Sequence, residues 1–299
     1  MIRLGTRNSP LALWQSGWVA EQLRARGCPV QLVPLTTAGD VTAGPLRQLG
    51  GEGLFTKRLQ IALLEEEIDL AVHSLKDLPT EPVSGLLLAA VPEREDVRDA
   101  FISTRFVTLE TLPNGARVGT GSLRRAAQLR WQRPDIQILD LRGNVDTRLR
   151  KLDEGQYEAI ILACAGLRRL QLADRITQAL DLSLMMSAVG QGALGLETRA
   201  SDMEVVQAVQ GLDHAATHAC VRAERAFLQA TRAGCTAPVA AHAREKDGTI
   251  YLQAVILNEA GDQRVDWQIG GPTGRAEELG RDLATQLFAL GGQQLLARD

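Results

Sequence analysis

The chain has 299 residues, 45% of them apolar and 23% charged, and a net charge of −3. That length is long for one core and implies two or three domains, while the near-neutral balance argues against generic binding to nucleic acid or a membrane surface. Cys28, Cys164, Cys220 and Cys235 are scattered without a CxxC pair, so neither a zinc site nor a disulfide framework is expected. If a cysteine matters chemically, it acts alone. The start, Met1-Ile2-Arg3-Leu4, lacks the apolar run of a signal peptide, and the most apolar run, residues 160–167, is too short to cross a bilayer. A cytoplasmic location is therefore expected.

Residues 2–15, IRLGTRNSPLALWQ, read as a strand ending in Gly5 and Thr6, then Arg7 and Ser9, with Pro10 opening a helix at a favoured early position. Residues 30–35 give a second strand and residues 36–40 a polar loop. The loop Gly50-Gly51-Glu52-Gly53 precedes a helix over residues 54–66; it lacks the Lys-Ser/Thr ending of a P-loop and reads as a surface loop. The strand at residues 68–73 runs into Ser74-Leu75-Lys76-Asp77-Leu78-Pro79. A Lys-Asp pair leaving a buried strand stands at the carboxyl edge, where α/β sheets bind ligands. A local salt bridge or a turn-capping Asp is the bland alternative. The charged, proline-marked residues 92–96 suggest a first domain boundary, and residues 100–103 resume as a strand.

The stretch over residues 117–150 concentrates the unusual chemistry. Arg117-Val118-Gly119 is extended, and Thr120-Gly121-Ser122 makes a hydroxyl-bearing turn that suits the N-cap of a helix opening at Leu123. A compact strand at residues 136–141 follows, then a turn at Arg142, Gly143 and Asn144, with Thr147 as the expected cap of the next helix. Both helix starts offer backbone N–H groups and a positive dipole end to an anion. Arg124, Arg125, Arg142 and Arg148 stand beside them, and guanidinium forks suit planar carboxylates and phosphates. Arg130, Arg133 and Arg150, farther from a turn, read as solvated helix faces.

Residues 157–170, YEAIILACAGLRRL, read as a buried strand reaching Ala165 and Gly166, with Cys164 in the core and Arg168 and Arg169 at another helix start. Residues 189–195, which include Gln191 and Gly192, form a glycine-punctuated crossing suited to a hinge or a strand returning to the first lobe. A helix is expected over residues 202–210 and another over 214–230. His214 and His218 have i,i+4 spacing, but without the Glu of HExxH no metal is expected. Residues 231–238, TRAGCTAP, present Cys235 in a glycine loop; residues 239–243 and 249–256 form a hairpin about Asp247-Gly248; residues 263–269 add a strand and residues 275–290 a final amphipathic helix.

Taken together, GTRNSPLALWQ, AVHSLKDLPT, VGTGSLRR, LDLRGNVDTRL, ILACAGLRRL, AVGQGALGLE and AGCTAP closely resemble the porphobilinogen deaminase (hydroxymethylbilane synthase) family over essentially the whole chain. The resemblance implies two periplasmic-binding-protein-like α/β lobes plus a small C-terminal α+β domain with a three-stranded antiparallel sheet. The implied division is lobe 1 over residues 1–95 and 193–210, lobe 2 over 98–188 and the C-terminal domain over 213–299. It further implies a transferase that deaminates porphobilinogen and joins four molecules into the linear tetrapyrrole hydroxymethylbilane. The primer would be a dipyrromethane cofactor, assembled from substrate and attached by a thioether to Cys235.

Porphobilinogen carries acetate and propionate, so the growing chain is a polyanion, which suits anion-binding turns in a protein of near-neutral charge. The family's catalytic aspartate matches Asp77, which would stabilise positive charge developing on pyrrole nitrogen. Arg7, Ser9, Lys76, Thr120, Ser122, Arg124, Arg125, Arg142, Gly143, Arg148, Arg169, Gln191 and Gly192 match residues that hold cofactor or substrate. A monomer, passing its product to uroporphyrinogen-III synthase, is the implied state. Three positions depart: Gly121 where relatives often carry a serine, Ala233 where the cysteine loop often has glycine, and Glu52 where relatives often carry lysine. Two other readings fit part of the pattern. A reversible anion-sensing module gives Cys235 and Asp77 no role, and a tetrapyrrole carrier predicts no ammonia release.

Overall fold

A computed structural model describes residues 1–35, 56–234 and 237–296. By its internal contacts the chain forms two compact units, Met1–Arg94 with Ala193–His218, and Glu95–Gly192 with Ala219–Asp299.

The first unit is built on β1 (Ile2–Arg7), β2 (Val30–Leu35), β3 (Leu70–Ser74) and β4 (Leu86–Ala90), with α1 (Pro10–Ala25) and α2 (Lys57–Leu64) packed on the sheet. Ser9 caps α1, its hydroxyl accepting the Ala12 N–H at 3.3 Å, and Pro10 takes the first turn, as expected from the sequence. β1 runs parallel to β2 and β3. Leu4, Val19, Leu23 and Leu70 fill one face, and Leu59, Leu63, Ile68 and Ala71 the other. A sheet covered on both faces explains why β3 is buried from Leu70 to His73 without alternation.

The second unit contributes β5 (Asp99–Ile102), β6 (Arg117–Gly119), β7 (Gln137–Leu139), β8 (Ala159–Ala163) and β9 (Gln178–Leu180), in the order β7-β6-β8-β5-β9. β6 is parallel to β7 and β8, whereas β5 is antiparallel to β8 and β9. Three helices lie between these strands: α3 (Leu123–Gln132), α4 (Val145–Asp153) and α5 (Cys164–Arg169).

Two local expectations are corrected. The cap of α4 is Asn144, whose side chain accepts the Thr147 N–H at 2.9 Å; Asn sits at the non-helical position and Thr147 is already inside the helix. The strand before Cys164 ends at Ala163 and the helix starts at once, so Arg168 and Arg169 occupy its last turn rather than its start.

β10 (Leu194–Arg199) then returns to the first sheet, between β3 and β4 and antiparallel to both, completing the order β2-β1-β3-β10-β4. It is pinned by buried polar contacts: Glu197 meets His73 Nε2 at 2.9 Å, and Arg199 donates to Asp69 at 2.8 Å. α6 (Met203–Gln210) follows, capped by Asp202. The two α/β lobes are as the sequence implied, each with one antiparallel strand in the fourth place of its sheet.

After α7 (Ala215–Thr231) come β11 (Val239–Lys246), β12 (Thr249–Leu257) and β13 (Arg264–Pro272), the expected three-stranded antiparallel sheet. Asp247 and Gly248, both at positive φ (51° and 77°), make the two-residue turn of the first hairpin. One face of this sheet packs with α7 and α8 (Ala276–Ala289) through Phe227, Leu252, Ile256, Leu283 and Leu287. The other face sets Ala240 and Val255 against Ala127 of α3. Among the described residues no helix is long and apolar enough to cross a membrane.

α8 approaches α7 through Gly280, where a Cβ would collide with the Ala223 carbonyl oxygen and lie 2.6 Å from the Phe227 nitrogen. Alanine in a helix gains about 1 kcal/mol over glycine, but overpacking rigid backbone costs about 1–3 kcal/mol and more when nothing can yield. Gly280→Ala should therefore lower stability in a denaturant titration. A stabilised variant would mean that the two helices separate at little cost.

Candidate active site

In the first unit, β1 and β3 are parallel, so their carboxyl ends lie along one sheet edge. Arg7 ends β1, and Ser9 follows at the start of α1. β3 ends at Ser74, whose hydroxyl accepts from Gln15 Nε2 at 2.9 Å and so ties the strand end to α1. The turn Leu75–Asp77 comes next. Leu75 (1% exposed) and Leu78 (5%) anchor it on both sides, leaving Lys76 half-buried and Asp77 exposed between them. Among the described residues the Asp77 carboxylate accepts no hydrogen bond and joins no ion pair, and Ser74 rather than Asp77 takes the cap position. The bland readings of Asp77, a salt bridge or a turn cap, are not what the geometry shows.

In the second unit, the ends of β6, β7 and β8 form the corresponding edge. Thr120 Oγ1 accepts the Ser122 N–H at 3.2 Å, and Ser122 Oγ accepts the Arg125 N–H at 3.4 Å, which closes the turn onto α3. A Cβ at Gly121 would lie 3.0 Å from the Leu141 carbonyl oxygen and 3.2 Å from the Asp140 carboxylate, so the turn sits close against the neighbouring strand end. Beside it, Arg142 Nε donates to Asp140 at 2.7 Å and Arg148 Nε to the Gly143 carbonyl at 2.7 Å. Both arginines stand half-buried at this edge.

Arg124 and Arg125 point elsewhere. Both are 5% exposed and both grip Asp99, the first residue of β5, which is wholly buried. Arg124 Nη2 donates to one carboxylate oxygen at 2.7 Å; Arg125 donates to the other through Nη2 at 2.7 Å and Nε at 3.1 Å. Arg124 also donates to the Met186 carbonyl and Arg125 to that of Ile161, and Gln191 Nε2 adds a bond to Asp99 at 2.9 Å. Burial alone would raise the Asp99 carboxyl, but the two guanidinium charges overrule it and hold the group well below the usual carboxylate range. Burial pushes Arg124 down from its ordinary value. These two side chains form the framework behind the turn. The sequence signal for their partner was an aspartate opening the apolar run DAFI, where a buried charge needs opposite charge.

The cluster carries two cations for one carboxylate. Arg169, 8% exposed, adds another buried cation: its Nη2 donates to the Gly192 carbonyl at 2.7 Å, burial lowers its pKa to about 10, and Glu95 offsets this only through space. An edge with excess buried positive charge fits a ligand that carries carboxylates, as a dipyrromethane does. Cys164 lies at the same edge, 0% exposed, with its thiol pushed up to about 12 by burial and by Asp96 and Asp99, which keeps it inert. Cys235 lies outside the described residues, as do Glu52 and the rest of residues 36–55. The chain approaches position 235 from the end of α7, where Thr231 Oγ1 accepts the Ala233 N–H at 3.4 Å.

Among the described residues no group of three or more His, Cys, Asp or Glu side chains is placed to hold a metal ion. His214 Nδ1 meets Thr217 Oγ1 at 2.8 Å and His218 Nδ1 meets Asp213 at 2.8 Å, so each is engaged locally.

A family model described as "Porphobilinogen deaminase, dipyromethane cofactor binding domain" matches residues 2–207, and one described as "Porphobilinogen deaminase, C-terminal domain" matches residues 218–289. The porphobilinogen deaminase of Trichlorobacter lovleyi is 49% identical over 298 residues, covering 99% of this chain and 95% of its own. That of Desulforudis audaxviator is 49% identical over 300 residues, covering 99% and 97%. Among solved structures, the methionine-binding protein MetQ aligns at 14% identity with a TM-score of 0.47, covering 71% of this chain and 89% of that one.

Asp99→Asn tests the framework. Removing the charge leaves two buried guanidinium groups against a neutral amide, and breaking a buried pair from one side costs about 3–5 kcal/mol. Chemical unfolding of the variant should show a loss of that size. A loss below about 1 kcal/mol would place the cluster with solvent-screened surface pairs instead.

Proposed function

The chain belongs to the porphobilinogen deaminase family, and from that premise we propose that it releases ammonia from porphobilinogen and joins four molecules head to tail into hydroxymethylbilane. The observation that most supports this chemistry is Asp77, an exposed carboxylate at a sheet's carboxyl edge that none of the described residues engages.

As ammonia leaves, positive charge develops on the pyrrole nitrogen. The Asp77 carboxylate, seated between Leu75 and Leu78, is held there before the reaction, so stabilising that charge requires no reorganisation. When bound, the dipyrromethane supplies the free α-carbon on which the chain grows; Cys235 is the residue proposed to carry it. Arg7, Ser9 and Lys76 at the first unit's edge bind acetate and propionate groups in this reading. So do Thr120, Ser122, Arg142, Gly143, Arg148 and Arg169 at the second unit's edge, with Gln191 and Gly192 behind them. With Gly121 in the turn, Ser122 and Thr120 supply its hydroxyls. Arg124 and Arg125 act from behind, through Asp99, by fixing the turn that presents Ser122.

The proposal extends to a monomer in the cytoplasm that passes its product to uroporphyrinogen-III synthase. It also carries the division into a lobe at residues 1–95 with 193–210, a lobe at 98–188 and a C-terminal domain at 213–299.

Asp77→Asn keeps the size of the side chain and one acceptor but removes the charge. Single-turnover ammonia release should fall on the order of 10²–10³-fold, about 3–4 kcal/mol in the barrier. Because Asp77 has no structural partner among the described residues, thermal unfolding should be unchanged. A folded, cofactor-loaded variant within about threefold of the parent rate would leave the developing charge without its partner.

A further inference from the structure

Glu224, in the middle of α7, is 0% exposed. One carboxylate oxygen accepts the Gly190 N–H at 2.7 Å and the other accepts the Ala243 N–H at 2.8 Å. His242 Nδ1 lies 3.7 Å from the second oxygen. Burying a carboxylate is costly unless its hydrogen bonds are made. Here both ends face N–H donors, a demand that Gln cannot meet because its amide nitrogen is itself a donor.

What Glu224 holds is not a passive loop. Gly190 and Gly192 both have positive φ (70° and 86°), so the path between them is a tight turn that an ordinary side chain would strain. The residues that follow Gly190 serve the site directly. Gln191 donates to the Val97 carbonyl at 2.7 Å and to Asp99 at 2.9 Å. The Gly192 carbonyl accepts from Arg169 at 2.7 Å and from the Glu95 N–H at 3.2 Å. One buried carboxylate therefore fixes the turn on which both the Asp99–Arg124–Arg125 cluster and Arg169 lean. It does so from α7, and through Ala243 it also grips β11.

We propose that Glu224 is a positioning residue for the carboxylate-holding edge: by fixing Gly190 it orients Arg169 and the Asp99 cluster toward the carboxylates they serve. This rests on the function proposed above and deepens it. A merely structural Glu224 would affect the unfolding temperature and leave the folded enzyme's affinity for substrate unchanged. A positioning Glu224 changes how well carboxylates are held, so its loss moves KM.

The test uses the enzyme as purified, at a temperature where circular dichroism shows each variant folded. Glu224→Gln should raise KM for porphobilinogen by about tenfold, the loss of one well-placed charge-assisted contact, while kcat changes less. Its intact mass should show a mixture of bare and dipyrrole-loaded chain where the parent is fully loaded. Gly190→Ala attacks the same hydrogen bond from the other side without altering the carboxylate, and should move KM and loading in the same direction; it decides the matter if Glu224→Gln does not fold. Folded variants with the parent's KM and full loading overturn the proposal. A parent that releases no ammonia from porphobilinogen sinks the family chemistry instead, and this proposal with it.

Discussion

A single buried carboxylate, Asp99, held by two adjacent arginines, is the contact on which the second unit's edge depends. Its position follows from topology. β5 runs antiparallel to β8, so the start of β5 arrives at the edge where the parallel strands end. The N-terminal turn of α3 stands at that same edge, which brings Arg124 and Arg125 within reach. A charge removed from water must be paired, and once paired it fixes whatever carries its partners. The turn from Thr120 to Ser122 is thereby set before any ligand arrives, which is the condition under which hydroxyls and backbone N–H groups bind anions at little further entropic cost.

The two sheets solve a common problem with the same arrangement. In each, parallel strands deliver loops to one edge and an antiparallel strand, β10 in one and β5 in the other, sits in the fourth place. The edges are dressed differently. The first presents an aspartate with no partner among the described residues beside a lysine; the second is rich in arginine with an excess of buried positive charge. A reaction on a polyanion that passes through a cationic transition state calls for both qualities.

Much of this was legible in the sequence. Ser9 with Pro10, Ser122, and Asp247 with Gly248 each carry a local rule that tertiary packing did not override. Other features depended on distant residues. Adjacent residues on a helix do not face one another, so nothing in the pair Arg124-Arg125 says that both will turn to one carboxylate 25 and 26 residues earlier. The strand Leu86–Ala90 is not legible because its run LLLAA lacks alternation, nor is Gln178–Leu180, because three residues carry no period. The sequence puts Arg168 and Arg169 at a helix start, because an apolar run does not show where strand gives way to helix. Glu224 reads as an ordinary charge on an amphipathic helix until the strand and turn it bridges are in place.

The most direct measurement is the intact mass of the purified chain and of Cys235→Ser, each before and after addition of porphobilinogen. The parent should exceed its sequence mass by two joined pyrrole units, and should grow in steps of one further unit while substrate lasts. Cys235→Ser should lack the thioether-linked adduct and the ladder built on it. A parent that stays at its sequence mass while binding porphobilinogen reversibly would make the protein an anion-binding module, and an unchanged adduct on Cys235→Ser would move the anchor to another residue.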